Sequence, residues 1–183
     1  MIVAGVDLSM TSTGVALVNL ARGETTVHRI KSAGSKGDSL NQRHARLSGI
    51  VRQIVELTDG AGLVAIEGPS YGSKSPNSHD RSGLWWLLQD DVRLSSDVPI
   101  VEIPPTTRAK YATGKGNAGK DDVLLAVDRR YGDLVKVTGN DEADALVLAA
   151  MGCRYLGFPI DDPLPKLNLA AMTGVAWPLK EAS

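Results

Sequence analysis

Four acidic side chains stand where acids are awkward. Asp7 closes the apolar run IVAGVD, and Glu67 closes a second one, GLVAIE. Asp141 and Asp144 lie three positions apart in NDEADALVLAA, so on a helix they share one face. If the two runs are adjacent strands, their terminal carboxylates meet at one sheet edge, and a helix end can deliver the other pair. Four carboxylates brought that close repel unless cations sit among them. An all-oxygen donor set without His or Cys selects a hard cation, Mg²⁺ or Mn²⁺, over zinc. Two such ions would neutralise the four acids and leave a site able to accept a phosphodiester. A metal pair about 3.5–4 Å apart stabilises both the attacking and the leaving oxygen of an in-line displacement. Each acid also has a plainer reading by itself. Asp7 can open a turn at Ser9, Glu67 can be a surface acid ahead of Gly68-Pro69, and Asp141 can favour a helix N-terminus. Asp144, set among Ala143, Ala145 and Leu146, is the hardest to place at the surface.

The elements that must position these acids can be read from periodicity and turn chemistry. Ile2–Leu8, Gly14–Leu20 and Thr25–Lys31 read as strands separated by hairpin-length turns, an antiparallel meander. Asp38 or Ser39 offers an N-cap for a helix in which Leu40, Leu47, Val51, Ile54, Val55 and Thr58 recur at helical spacing. Gly62–Glu67 is a short buried strand, and the Gly-, Ser- and Pro-rich stretch Gly68–Ser78 is a loop. A helix through Leu84–Leu94, a strand at Pro99–Ile103 and a short helix from Pro105 to Ala112 follow, the last with proline in its first turn. Gly114–Gly119 is a glycine-rich loop, Lys120–Tyr131 a helix, and Asn140 caps a final long helix. This order implies an α/β domain over residues 1–157: a mixed five-stranded sheet, three strands antiparallel and two parallel, flanked by helices. Residues 158–183, with Pro159, Pro163, Pro165 and Pro178, read as an irregular tail.

Composition narrows the partners. With 183 residues, 43% apolar and 22% charged, the chain suits one globular domain with its own core. Its single cysteine excludes a disulfide framework and a cysteine zinc cluster. There is no transmembrane-length apolar run and no basic-flanked leader, so a cytoplasmic protein is expected. The net charge is −1, but four of the 21 acidic residues are the candidate ligands, and without them the chain carries +3. Between Pro104 and Lys120 stand Arg108, Lys110, Lys115 and Lys120 with no acid, a distribution suited to a polyanion. Lys74, in the Gly68–Ser78 loop, is a further candidate DNA contact. Aromatic residues make up 4%, too few for a broad base-stacking platform. Gly114–Gly119 lacks the Gly-Lys-Ser/Thr ending of a nucleotide-binding P-loop. His28, His44 and His79 are scattered, and Trp85 and Trp86 suit the core or a subunit interface.

In chain order, GVDLSMTSTGVALV, VAIEGP, TGKGNAGKDDV and NDEADALVLAA resemble the motifs of RuvC-type Holliday-junction resolvases, here a divergent, phage-like variant. The likeness spans residues 2–155. It implies a ribonuclease H-like fold and metal-dependent nicking of four-way DNA junctions, leaving a 5′-phosphate and a 3′-hydroxyl. It also implies Asp7, Glu67, Asp141 and Asp144 as catalytic metal ligands for two Mg²⁺ ions, with Mn²⁺ substituting, and Lys120 beside the scissile phosphate. Symmetric resolution needs two nicks, hence a homodimer. Leu8-Ser9 replaces the family's Pro-Gly after the first Asp, and Ala109, with Lys110 beside it, stands at the family's basic position. Tyr71 matches the junction-centre aromatic with a one-residue shift. Two other readings share these residues: a ribonuclease H-like nuclease for other branched DNA or RNA, and an actin-like ATPase fragment, because Asp7 to Gly14 also fits Asp-x-x-x-Thr-x-x-Gly.

Overall fold

The apolar runs pair into one sheet. A computed structural model describes residues 1–69 and 77–178. Its strands are β1 (Ile2–Asp7), β2 (Ser12–Asn19), β3 (Glu24–Lys31), β4 (Ala61–Glu67) and β5 (Ile100–Ile103), in the order β3-β2-β1-β4-β5. β1, β2 and β3 form the antiparallel meander, and β4 and β5 add in parallel. The helices are α1 (Leu40–Thr58), α2 (Ser78–Ser95), α3 (Pro105–Thr113), α4 (Lys120–Tyr131), α5 (Asn140–Leu156) and the short α6 (Lys166–Leu169). No described helix is long and apolar enough to cross a membrane.

Successive strand residues point to opposite faces, so the sheet feeds two cores. Val3, Ala16, Val18, Leu63, Ala65, Val101 and Ile103 pack against α3, α4 and α5. Ala4, Val6, Val15, Ile30, Val64 and Ile66 pack against α1 and α2. On that second face Trp85 is packed while its neighbour Trp86 is 67% exposed. α1 opens with a capping box, Ser39 accepting from the Gln42 amide while Gln42 accepts from that of Ser39. α3 carries Pro105 at its start and ends on Gly114, whose φ of +83° only glycine adopts freely. The N-cap of α5 is Gly139, and Asn140, expected as the cap, is its first helical residue.

Two glycines let α5 lie directly on the sheet. A Cβ at Gly5 would stand 2.1 Å from the Ala145 carbonyl oxygen, and one at Gly14 would stand 1.9 Å from that of Asp141. Both contacts are with backbone, so neither can yield by a rotamer change. The bare strand backbone therefore sets how deeply the first turns of α5 reach toward the ends of β1 and β2.

After Gly157 the chain turns back over α3 and α4. The fully buried Asp161 accepts hydrogen bonds from Tyr111 at 2.8 Å, Tyr131 at 2.7 Å and Arg154 at 2.7 Å. Asn168 donates to the Tyr111 carbonyl at 2.7 Å, and Trp177 stacks on Tyr155 with ring centroids 4.7 Å apart.

Candidate active site

Strand register places the first two acids. β1 and β4 run parallel with Val6 opposite Ile66, so Asp7 and Glu67 leave adjacent strands at the same edge. By alternation both fall on the face that packs α5: Asp7 follows Val3 and Gly5, and Glu67 follows Leu63 and Ala65. Asp144, in the second turn of α5, comes down onto them through the close approach at Gly5 and Gly14. The result is a cluster in which one carboxylate oxygen each from Asp7, Glu67 and Asp144 lies within 4.8 Å of the others.

Asp141 stands one turn earlier and outside that group. Its carboxylate accepts a 2.5 Å hydrogen bond from Ser12 and lies 3.8 Å from Arg29 of β3, which also reaches Glu142 at 3.6 Å. The turn after Asp7 is closed by hydroxyls, with the Ser9 amide donating to Thr13 Oγ1 at 3.0 Å and Thr13 donating to the Ser9 carbonyl at 2.7 Å. Asp7 is thus left free of turn duty.

The cluster is electrostatically expensive. Burial is the main cause that pushes Asp7 up to about 8, with Glu67 and Asp144 adding to the rise and Arg108 opposing it. Asp144 is pushed up to about 6, again mainly by burial and also by Glu67, with Arg108 and Lys120 opposing. Three convergent carboxylates with hard oxygen donors and a strong resistance to charging fit a divalent cation of the Mg²⁺ or Mn²⁺ kind.

The basic residues divide. Arg108, expected among the DNA contacts, is buried; its Nε donates to Glu67 and its Nη1 to Asp144. Lys120 is exposed at the first position of α4, near enough for its charge to act on Asp144. Lys110 is half-buried and Lys115 exposed. Lys115 lines a cleft of about 620 Å³ between α3, α4 and α6 together with Arg129 and Arg130, two cations the sequence reading did not single out. Tyr71 and Lys74 lie outside the described residues. Arg29 was likewise missed, because in sequence it is one more charge on a polar strand, ETTVHRIK.

A five-stranded mixed sheet of this order, with acids at the adjacent ends of β1 and β4 and on the helix packed over them, defines the ribonuclease H-like class. The fold agrees with that of the solved Thermus thermophilus RuvC, with a TM-score of 0.66, 20% identity, and 86% of this chain and 98% of that one covered. The T. thermophilus protein has also been solved with a Holliday-junction substrate, and that structure matches with a TM-score of 0.63 at 19% identity over 86% of this chain and 97% of that one. No protein-family model matches the chain. Crossover junction endodeoxyribonuclease RuvC of Rickettsia prowazekii is 30% identical over 155 residues, covering 81% of this chain and 94% of that protein. The Salinibacter ruber protein of the same name is 28% identical over 151 residues, covering 81% and 83%. The chain belongs to the RuvC family. That membership displaces the actin-like reading of Asp7 to Gly14.

Proposed function

We propose that the protein is a Mg²⁺-dependent endonuclease that nicks four-way DNA junctions symmetrically as a homodimer in the cytoplasm of a bacterial or phage-infected cell. In this reading residues 1–157 form the nuclease domain and 158–183 its C-terminal tail. The observation that carries it is the convergence of Asp7, Glu67 and Asp144 at one sheet edge in a chain related to curated junction endonucleases. The junction complex of the Thermus relative supports four-way DNA as substrate.

Asp7, Glu67 and Asp144 would hold the divalent ions, with Asp141 as a fourth ligand on the outer side. When bound, a pair of such ions supplies Lewis-acid stabilisation of the attacking and leaving oxygens of an in-line phosphodiester hydrolysis. The chain's own residues supply positioning. The edge of β1 and β4 fixes two acids relative to each other through ladder hydrogen bonds, and α5 fixes the third through backbone packing. Lys120, at the start of α4 where amide dipoles also favour an anion, stabilises charge on the phosphate undergoing cleavage. Lys115 and Lys110 contact phosphates outside the reacting group, and Tyr71 and Lys74 complete the expected DNA contacts.

The deciding experiment is a nicking assay with Mg²⁺ on a four-way junction, a Y-fork and a linear duplex of matched sequence. Paired nicks in opposite junction arms, with fork and duplex cut far more slowly, are expected. Equal cutting of all three would overturn junction selectivity and favour the broader branched-nucleic-acid nuclease reading.

A further inference from the structure

A guanidinium already lies within the acid cluster. Arg108 is 9% exposed, and its two N–H donors reach carboxylates on different elements, Glu67 on β4 and Asp144 on α5. These are two of the three acids that converge on one point. A divalent cation bound there needs an oxygen from the same side chains, and its charge would repel the guanidinium beside it with little water between to screen them. Arginine cannot make way by losing its proton, as a lysine can, so it must move. A displaced guanidinium in a buried site needs another anion. A phosphodiester entering beside Lys120 provides one, and its paired oxygens match the arginine fork.

We propose that Arg108 is an exchangeable counter-cation. It holds Glu67 and Asp144 in place while the site is free of metal, and transfers to a DNA phosphate when divalent ions load, which couples metal uptake to substrate binding. The inference rests on the metal-nuclease reading above. It gives Arg108 a positioning role distinct from a plain surface phosphate contact, and also from a purely structural ion pair, whose removal would loosen the site and weaken metal binding.

The test uses the full chain. In ¹⁵N-labelled protein the Arg108 Nε–H signal, identified by its loss in Arg108→Lys, should exchange slowly without metal. Saturating Mg²⁺ should shift it and speed its exchange. By calorimetry without DNA, Arg108→Gln should bind Mn²⁺ about tenfold more tightly than the unchanged protein, a coupling of ordinary size for two linked sites. With Ca²⁺ as the probe, four-way junction DNA should tighten metal binding to the unchanged protein, and Arg108→Gln should lose most of that gain. Metal uptake that Asp7→Asn abolishes but that leaves the Arg108 signal unmoved would overturn the exchange and leave the metal site standing. Weaker Mn²⁺ binding by Arg108→Gln, or an undiminished DNA effect, would overturn it too. No metal uptake by the unchanged protein would instead overturn the underlying reading. Should Arg108→Gln fail to fold, the Nε–H measurement on the unchanged protein decides alone.

Discussion

Two carboxylate centres, one buried and one half-buried, lie on the same side of the sheet, and they are built in opposite ways. Asp161 sits among donors: two tyrosine hydroxyls and the Arg154 guanidinium, which it shares with Asp162, converge on it, each within 2.8 Å. Asp7 is crowded by acids, accepts no hydrogen bond from the described residues, and is pushed up to about 8 by burial and by Glu67 and Asp144. A satisfied buried carboxylate fastens one segment to another, here the chain after Gly157 to α3 and α4. A crowded one raises the energy of the metal-free fold and is relieved by a cation. The difference separates an acid that fastens the fold from one that a cation would relieve, without reference to sequence.

The largest effects should come from the crowded centre. Asp7→Asn, Glu67→Gln and Asp144→Asn should each lower single-turnover junction cleavage by about a thousandfold or more, since metal ligation supplies several kcal/mol of transition-state stabilisation. Junction binding in Ca²⁺ should survive, because it rests on phosphate contacts. Asp141→Asn should fall in the same class, and near-normal nicking would move Asp141 to the structural one with its Ser12 and Arg29 partners. Asp161→Ala should do the reverse. Leaving two tyrosine hydroxyls without their acceptor, while Arg154 keeps Asp162, should cost about 2–4 kcal/mol, a fall in Tm of roughly 10 °C, with the cleavage rate of the folded fraction unchanged.

A smaller effect tests the electrostatic contrast directly. An acid whose pKa is raised by folding favours the native state below its unfolded value and loses that contribution as pH rises toward the folded value. For Asp7 this window runs from the ordinary 3.8 to about 8, and for Asp144 from 3.8 to about 6. The metal-free protein should therefore lose Tm steadily as the pH rises from 5 to 8. Asp7→Asn should flatten that slope, and Mg²⁺ should raise Tm more at pH 8 than at pH 5. The smallest effects concern the loop lysines. Lys115→Ala should weaken binding to every junction sequence alike and reduce the salt slope by about one unit. Lys120→Ala should lower the cleavage rate more than the affinity, read from saturating-enzyme kinetics beside a binding titration.

The crowded half of this contrast is legible in the amino-acid sequence. Apolar runs that end in a carboxylate announce acids at a sheet edge, and the meander, the Pro105 helix start and the Ser39 cap are local signals that survive folding. The pairing of side chains across elements was not legible. Arg108 reads as one cation in a basic stretch, and only the neighbouring positions of β4 and β5, followed by α3, turn it inward onto Glu67. Asp161 reads as one residue of an irregular proline-rich tail, because nothing local ties it to Tyr111 and Tyr131, 50 and 30 residues away. Gly14 reads as one more strand residue, whereas its role is to admit the backbone of Asp141. Spacing three apart put Asp141 and Asp144 on one helix face, but one turn of α5 carries Asp141 past the strand ends, to Ser12 and Arg29.

The central claim is that the crowded acids at the ends of β1 and β4 are a cation site. Anomalous diffraction from crystals grown with Mn²⁺ tests it most directly. Density at the manganese edge in contact with the carboxylates of Asp7, Glu67 and Asp144, lost in Asp7→Asn crystals, is the expected result. Well-ordered crystals at saturating Mn²⁺ with no anomalous peak at those three side chains would contradict it.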